Sequence, residues 1–185
     1  MIRPVRRGGR LVEPDGRVVT WSMAEGTRGR RWRWSVVDRR GALVAAHTVE
    51  LGPDGRFARL ESAAAGGLLT LHREADGSLH GNRVAERGVD HLTVPSPAPD
   101  AVVVGSSPLG PAVASPALPV DGGAVDIVEV GEDLGVRIAG ASVRRHGDGI
   151  IELRTGLGAR RVRLDADGLP AADEARSTSW PLERD

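Results

Sequence analysis

The chain has 185 residues, in which 25 basic residues balance 25 acidic ones, and it has no cysteine. The missing cysteine excludes disulfides, thiolate metal sites and cysteine nucleophiles. The 25 glycines and 12 prolines interrupt the chain more often than an all-helical fold tolerates. The length suits one domain of ordinary size, so we expect residues 1–185 to form a single, mainly β domain.

The N-terminus is basic, but no apolar segment follows it and no window approaches 18 uninterrupted apolar residues. We therefore expect a cytoplasmic protein without a membrane span. Residues 1–20 are the candidate for a flexible N-terminal segment.

Aspartate–glycine turn signals separate short runs of strand length in the first half of the chain. In residues 31–37 the apolar Trp32, Trp34 and Val36 alternate with polar residues, which predicts a half-buried antiparallel strand. In the next run, residues 43–51, alternate residues lie on the face that we expect to be buried: Leu43, Ala45, His47, Val49 and Leu51. Further strands are predicted at residues 56–61, 68–73, 79–84 and 91–94.

Residues 95–119 are rich in proline, which forbids a regular central strand and breaks any long helix. We interpret this segment as a crossover that forms a lid, with residues 101–104 pairing at a sheet edge. Strands are predicted again at residues 125–130, 136–138, 142–145, 150–154 and 160–164. The tail, residues 171–185, is predicted as a short helix or a frayed end. The fold is therefore expected to be one antiparallel β domain, either an open half-barrel or two curved sheets.

Motifs for catalysis and for cofactors are incomplete. No two of the five histidines have the spacing of a metal site, and no serine lies in a nucleophile-elbow pattern. A chain without lysine cannot form a phosphate-binding loop of the Gly-Lys type. The sequence Asp165-Ala166-Asp167-Gly168 begins like a calcium loop but lacks the later ligands, so we interpret it as a hairpin turn. We expect neither a metal nor a cofactor.

Arginines and tryptophans are interleaved in residues 28–34, a pattern that can bind single-stranded nucleic acid. Strand alternation separates the two residue types onto opposite faces. Nucleic-acid binding is therefore disfavoured, although a nucleic-acid or protein interaction module remains an alternative.

In order and spacing, the chain resembles a bacterial glycolipid-binding family whose members are similar in topology to lipoprotein carriers with half-open β-barrels. The resemblance is carried by Trp21, by residues 32–38, by the run 69–82 and by the closing run 162–170. After residue 88 this chain departs from the family. Members of the family have there a segment that leads to a Thr-Pro-Phe-Thr-Asn-Thr-Leu-Pro stretch, and in this chain only Asp90 and residues 108–111 match it. The resemblance implies a half-barrel and a lipid ligand.

A cavity lined by alternate strand residues would suit a lipid, a glycolipid or another amphipathic small molecule. Near that cavity we expect Trp32, Trp34, His47, His72 and Asp90, with the tryptophans supplying apolar area and the polar groups fixing a head group. A small isomerase or cyclase is the alternative, and a histidine of perturbed pKa in the cavity would favour it. The oligomeric state is left open.

Overall fold

The structure, a computed structural model, describes residues 5–171 and 177–181. In these residues the chain forms mainly strands, with one short helix and a 3₁₀ turn. The strands are β1 (Val5–Val12), β2 (Val18–Gly26), β3 (Gly29–Val37), β4 (Leu43–Leu51), β5 (Phe57–Ala64), β6 (Gly67–Arg73), β7 (Leu79–Ala85), β8 (Gly88–Val94), β9 (Val102–Val104), β10 (Gly123–Val130), β11 (Val136–Arg145), β12 (Ile150–Thr155), β13 (Gly158–Arg163) and β14 (Ser177–Pro181). The helix α1 (Leu109–Ala114) is followed by the 3₁₀ turn Ser115–Ala117.

The strands form two sheets. The first has nine strands in the order β14-β1-β2-β3-β4-β5-β6-β7-β8, and all its neighbours are antiparallel. The second is a curled half-barrel of five strands in the order β13-β12-β11-β10-β9, in which β9 pairs parallel to β10. The expected mainly β fold of curved sheets is confirmed.

The main core lies between the two sheets, and we call the face of the nine-stranded sheet that contributes to it the inner face. On β3 the predicted alternation is confirmed, because Trp32 and Trp34 are 0% and 4% exposed while Arg31 and Arg33 lie exposed on the outer face. Trp21 on β2 packs against Trp32 with ring centroids 5.6 Å apart. The large rings therefore fill the centre of the inner face.

Two tight hairpins depend on glycine. Gly29 has φ +109° and Gly67 has φ +122°, in a region that L side chains rarely adopt. A Cβ at Gly29 would also collide with the carbonyl oxygen of Leu51, and one at Gly67 with that of Val84. These positions fix the β2–β3 and β5–β6 turns and therefore the register of the sheet.

The prediction that Leu43, the first residue of β4, lies on the buried face is wrong. Leu43 is 66% exposed because the register shifts opposite Val36 and Val37, so that Leu43 pairs with Val37 on the outer face. A β-bulge of this kind adds one residue to a strand and reverses the alternation beyond it. Val49 and Leu51, on the other side of the bulge, are buried as predicted.

The N-terminal segment is more regular than predicted. Residues 5–12 form β1, which pairs with β2 from Val5–Glu25 to Val12–Val18. The strand pattern was hidden because glycines and arginines replace most apolar residues of β1. In the tail, residues 177–181 form β14 and pair with β1, which corrects the predicted helix or frayed end there. The rest of that prediction, residues 172–176 and 182–185, lies outside the described residues.

The proline-rich crossover packs into the core. Its β9 pairs at the edge of the second sheet as predicted, all six residues of α1 are buried, and Leu109, Ala112 and Val113 belong to the core between the sheets. The apolar residues between the prolines make burial favourable. None of the described helical segments has the length and apolarity that a membrane crossing requires.

Two arginines hold the crossover at its ends. Arg73 donates to the carbonyl oxygens of Phe57, Gly77, Ala98 and Pro99 at 2.8, 3.2, 3.3 and 2.6 Å. Arg145 donates to those of Ser115, Leu118 and Pro119 at 3.3, 3.4 and 3.0 Å. The guanidinium groups thus satisfy backbone acceptors where proline-rich chain has few N–H donors.

Candidate ligand-binding site

A cavity of about 160 Å³ lies where β3, β4 and β5 of the first sheet meet the loops that follow β9 and β10. Its apolar wall is formed by Val36, Val44, Ala45, Ala64, Ala65, Val104 and Leu134. On the neighbouring inner-face row, Trp21 and Trp34 fill the corresponding space. Alanine side chains end at Cβ, so the row with Ala45 and Ala64 leaves volume unfilled.

The polar side of the cavity is organised around Arg17, which follows the turn between β1 and β2. Its Nε lies 2.9 Å from Glu13 Oε2 and 2.7 Å from Asp15 Oδ2, and its Nη1 lies 3.4 Å from Glu132 Oε1. Its Nη2 donates to Ser106 Oγ at 3.2 Å, and Ser106 in turn donates to Glu132 Oε1 at 2.7 Å. This network joins the β1–β2 turn to both loops of the second sheet.

Three carboxyl groups surround this one guanidinium. Burial raises the pKa of Glu13, which is 6% exposed, against the opposing effect of Arg17. The hydrogen bond from Ser106 lowers the pKa of Glu132, and the backbone N–H of Arg17 lowers that of Asp15. Burial opposes the charge of Arg17, but the carboxylates outweigh it and raise its pKa. The mouth of the cavity is therefore acidic overall.

His47 of β4 lines the cavity and is half-buried. Its Nδ1 lies 2.6 Å from the Oγ of Ser62 on β5, and its ring packs on Trp34 with centroids 4.8 Å apart. Burial lowers the pKa of His47 to about 4. The imidazole is consequently neutral at pH 7 and forms one hydrogen bond with the Ser62 hydroxyl, in which Nδ1 either donates or accepts.

The two predicted tryptophans lie in the core. Trp32 is 0% and Trp34 only 4% exposed, and within the described residues their indole nitrogens have no hydrogen-bond partner. Trp34 acts on the cavity indirectly, because it packs against His47. Trp32 lies one row further into the core, opposite Val49.

The other two predicted residues are not at this cavity. His72 lies on the outer face of β6, exposed, with its Nε2 2.9 Å from Glu74 Oε1. It points outward because Leu69 and Leu71 of the same strand point into the core. Asp90 is exposed on the edge strand β8, where its Oδ2 accepts hydrogen bonds from Arg83 Nε and Nη2 at 3.1 and 2.6 Å.

Sequence reasoning missed Glu13, Arg17, Ser106 and Glu132. Residues 13–17 carry the Pro-Asp-Gly signal of a turn, and nothing local indicates that the turn would face a loop about 90 residues away. Residues 105–107 contain two serines that match no nucleophile pattern, and nothing else in them indicates a polar site. Long-range pairing of this kind has no signature in a single sequence.

No group of three or more histidine, aspartate or glutamate side chains within the described residues is placed to hold a metal ion. The calcium-like sequence at Asp165 forms a hairpin turn, as predicted. Its Oδ1 accepts hydrogen bonds from the backbone N–H groups of Asp167 and Leu169, both at 2.9 Å.

Compared with known proteins, the chain matches no protein-family model and no curated protein. Among solved structures, it is similar to a DUF1089 family protein from Pseudomonas aeruginosa, with a TM-score of 0.48 and 13% sequence identity. The similarity covers 89% of this chain and 86% of that one. A likeness this distant carries no argument about function, and the resemblance to a glycolipid-binding family stays a prediction.

Proposed function

We propose that the protein binds a small amphipathic molecule in the cavity between its sheets. The observation that carries this proposal is the juxtaposition, in one cavity, of an apolar wall with the polar network of Arg17, Ser106, Glu132 and the buried Glu13. An apolar wall with a few convergent polar groups is the usual composition of a small-molecule site.

The volume limits the ligand. A cavity of about 160 Å³ is comparable with the engineered protein cavities of about 150 Å³ that bind benzene. A whole glycolipid exceeds this volume, and a lipid would enter by one chain end only. The proposal therefore narrows the lipid expectation to a molecule whose apolar part is about the size of a phenyl ring or a short branched chain.

The charge of the mouth limits the polar group. With Asp15 and Glu132 ionised, Arg17 is already neutralised, so an additional carboxylate or phosphate would meet net negative charge. An amine or a hydroxyl can instead donate to these carboxylates. We therefore expect an apolar molecule with an amino or hydroxyl group.

Three probes with the same apolar body test this selectivity. Benzylamine, benzyl alcohol and benzoate would be titrated into ¹⁵N-labelled protein while the amide signals of residues 104–107 and 131–135 are followed. The amine and the alcohol should shift these signals saturably, and benzoate should not. Equal binding of all three, or binding of benzoate alone, would overturn the assignment of the polar group.

A matched pair of variants locates the binding. Ala64 points into the cavity and Ala63, its neighbour on β5, points to the outer face. Ala64→Leu should abolish the shifts by filling the cavity, whereas Ala63→Leu should leave them intact. Loss of binding in both variants, or in neither, would contradict the proposed site.

One observation favours the enzyme alternative. The neutral His47 and the carboxyl of Glu13, whose pKa is raised by burial, line the same cavity, and paired groups with displaced pKa values often serve as acid and base. Ser62 is 3% exposed and does not line the cavity, so it would not serve as the nucleophile of such an enzyme. Molecules copurified with the native protein and with Glu13→Gln should differ in mass if conversion occurs, and should be identical if the protein only binds.

A further inference from the structure

A single row of side chains crosses the outer face of the nine-stranded sheet and changes gradually from cationic to apolar. Residue pairs in register connect Arg10 to Thr20, Thr20 to Ser35, and Ser35 to Ala46. The same row continues through the pairs Ala46–Ala63, Ala63–Leu68, Leu68–Val84 and Val84–Val89. We call this set of eight residues, Arg10, Thr20, Ser35, Ala46, Ala63, Leu68, Val84 and Val89, the outer row.

The apolar end of the outer row is exposed. Leu68, Val84 and Val89 are 55%, 43% and 55% exposed, although large apolar residues directly opposite one another on adjacent strands ordinarily face a core. From Ala46 to Val89 the row crosses five strands, which is about 19 Å at the usual strand spacing. It therefore offers an apolar strip of the length that a long, extended acyl chain covers.

The polar end carries uncompensated positive charge. Arg10 and Arg33, both exposed on the outer face, have no hydrogen-bond or ion-pair partner among residues 5–171. Neighbouring arginines on this face differ, because Arg31 lies 3.0 Å from Glu50 and Arg59 lies 2.6 Å from Glu61. Arg10 and Arg33 lie at the end of the row where Thr20 and Ser35 supply hydroxyl groups.

A groove runs beside the outer row. It is an open groove of about 720 Å³ over strands β1 to β6, between the outer row and a parallel row that includes Arg33, Thr48 and Glu61, the last of which is paired with Arg59. This volume lies within the range of about 300–1,000 Å³ that is usual for ligand sites. Beside Ala46, Ala63 and Leu68 one wall of the groove is apolar while the facing wall carries hydroxyl and charged groups, so the cross-section is amphipathic there.

From this gradient we propose a second binding site, for a single-chain anionic amphiphile such as a fatty acid. Its anionic group would bind Arg10 and Arg33 with the hydroxyls of Thr20 and Ser35, and its chain would lie along Ala46, Ala63, Leu68, Val84 and Val89. Guanidinium groups form charge-assisted hydrogen bonds with carboxylates, which gives the head group its site. The site is separate from the inter-sheet cavity and does not depend on the function proposed for it.

We expect the inter-sheet cavity to prefer an amine or a hydroxyl and the outer site to prefer an anion. Probes of opposite charge therefore distinguish the two sites. Decanoate is the anionic probe and decyltrimethylammonium is its cationic match, both used below their micellar concentrations and followed by calorimetry. Decanoate should bind saturably, and each methylene removed, as in octanoate and hexanoate, should weaken binding about threefold to fourfold if the chain is fully buried. Binding of the cation with equal affinity would overturn the assignment of the head group.

Variants on the exposed outer face test the two ends of the row with little risk to folding. Arg10→Gln with Arg33→Gln should weaken decanoate binding about tenfold or more, whereas Arg31→Gln with Arg59→Gln removes the same charge from paired arginines and should leave it nearly unchanged. Ala63→Ser with Leu68→Ser should remove the dependence on chain length, because the decanoate chain ends between these two residues when its head group lies at Ser35. An equal effect of both arginine pairs would reduce the site to general charge attraction and overturn the proposal.

Two further arms distinguish the sites and the sources of the ligand. Ala64→Leu, which fills the inter-sheet cavity, should leave decanoate binding unchanged, and its loss would place the chain in that cavity and overturn the outer site. Vesicles of phosphatidylglycerol with phosphatidylcholine test a membrane surface instead of a monomeric amphiphile. Binding to vesicles without saturable binding of decanoate would also overturn the proposal.

Discussion

Trp34 and His47 face each other from adjacent strands, with ring centroids 4.8 Å apart, and His47 is the boundary between the filled core and the cavity. On the far side of the imidazole lie Ala45 and Ala64, whose short side chains leave the cavity empty. The tryptophan thus fixes the imidazole plane by packing, and Ser62 fixes its rotation by a hydrogen bond. The cavity wall is preorganised on both sides.

Replacing His47 tests how this burial affects stability. The pKa of His47 is lowered from 6.5 to about 4, so the unfolded chain binds more protons between these pH values, and stability is lost as pH falls from about 6.5 to about 4. The loss should reach at most about 3 kcal/mol. His47→Asn should abolish this part of the pH dependence, as measured by urea unfolding at several pH values. Identical pH profiles for both proteins would show that the imidazole is not desolvated.

Glu13 should produce a pH dependence of the opposite sign. Burial raises its pKa in the folded protein, so its contribution to stability is present below about pH 4.5 and is lost as pH rises through the raised value. Glu13→Gln removes this titration, and the free energy of unfolding of the variant relative to the native protein should increase with pH. The difference between the two unfolding curves isolates Glu13 from the other titrating groups. A difference that does not change with pH would contradict the assigned shift.

Arg73 should be a major contributor to stability although it lies at a strand end. Arg73→Ala removes hydrogen bonds to the carbonyl groups of four residues and frees the start of the crossover, and we expect a loss of about 3 kcal/mol in the free energy of unfolding. Arg59→Ala on the neighbouring strand removes only an exposed ion pair with Glu61, and should cost less than about 1 kcal/mol. Chemical unfolding of the two variants side by side makes the comparison. Equal losses would mean that the carbonyl contacts of Arg73 do not stabilise the crossover.

Trp32 should matter for stability and not for the cavity. Trp32→Ala empties a fully buried site and should cost about 3 to 5 kcal/mol. Because Trp32 lies opposite Val49 and away from the cavity lining, benzylamine should still bind to whatever fraction remains folded. Thermal unfolding with and without the probe measures both quantities. Loss of binding in the folded variant would indicate that the cavity depends on the whole tryptophan cluster.

The sequence predicted those parts of the fold that local pattern determines. The alternation around Trp32 and Trp34 identified β3 and its buried face, and aspartate–glycine turns located the β1–β2, β4–β5, β6–β7 and β11–β12 hairpins. Strand β1 was missed because two glycines and three arginines conceal its alternation. The bulge that exposes Leu43 also has no local signal, since it arises from pairing with β3.

The candidate site was predicted less completely. His47 was placed correctly on an inward-facing position, but His72 was expected at the cavity although the same alternation, read with Leu69 and Leu71 inward, turns it outward. The polar network could not be predicted from the sequence, because Arg17 contacts Ser106 and Glu132 only when the two sheets pack together. Which strands face one another across a core is decided by topology, and a single sequence does not reveal it.

Native mass spectrometry of the full chain, purified from a bacterial host without detergent and followed by extraction of any bound molecule, shows whether the inter-sheet cavity holds a ligand. We expect a single small molecule with an amino or hydroxyl group and a compact apolar part, present in the native protein and in Ala63→Leu, and absent from Ala64→Leu. A protein that carries nothing and takes up neither benzylamine nor benzyl alcohol, or that carries its ligand equally in both alanine variants, would contradict this expectation.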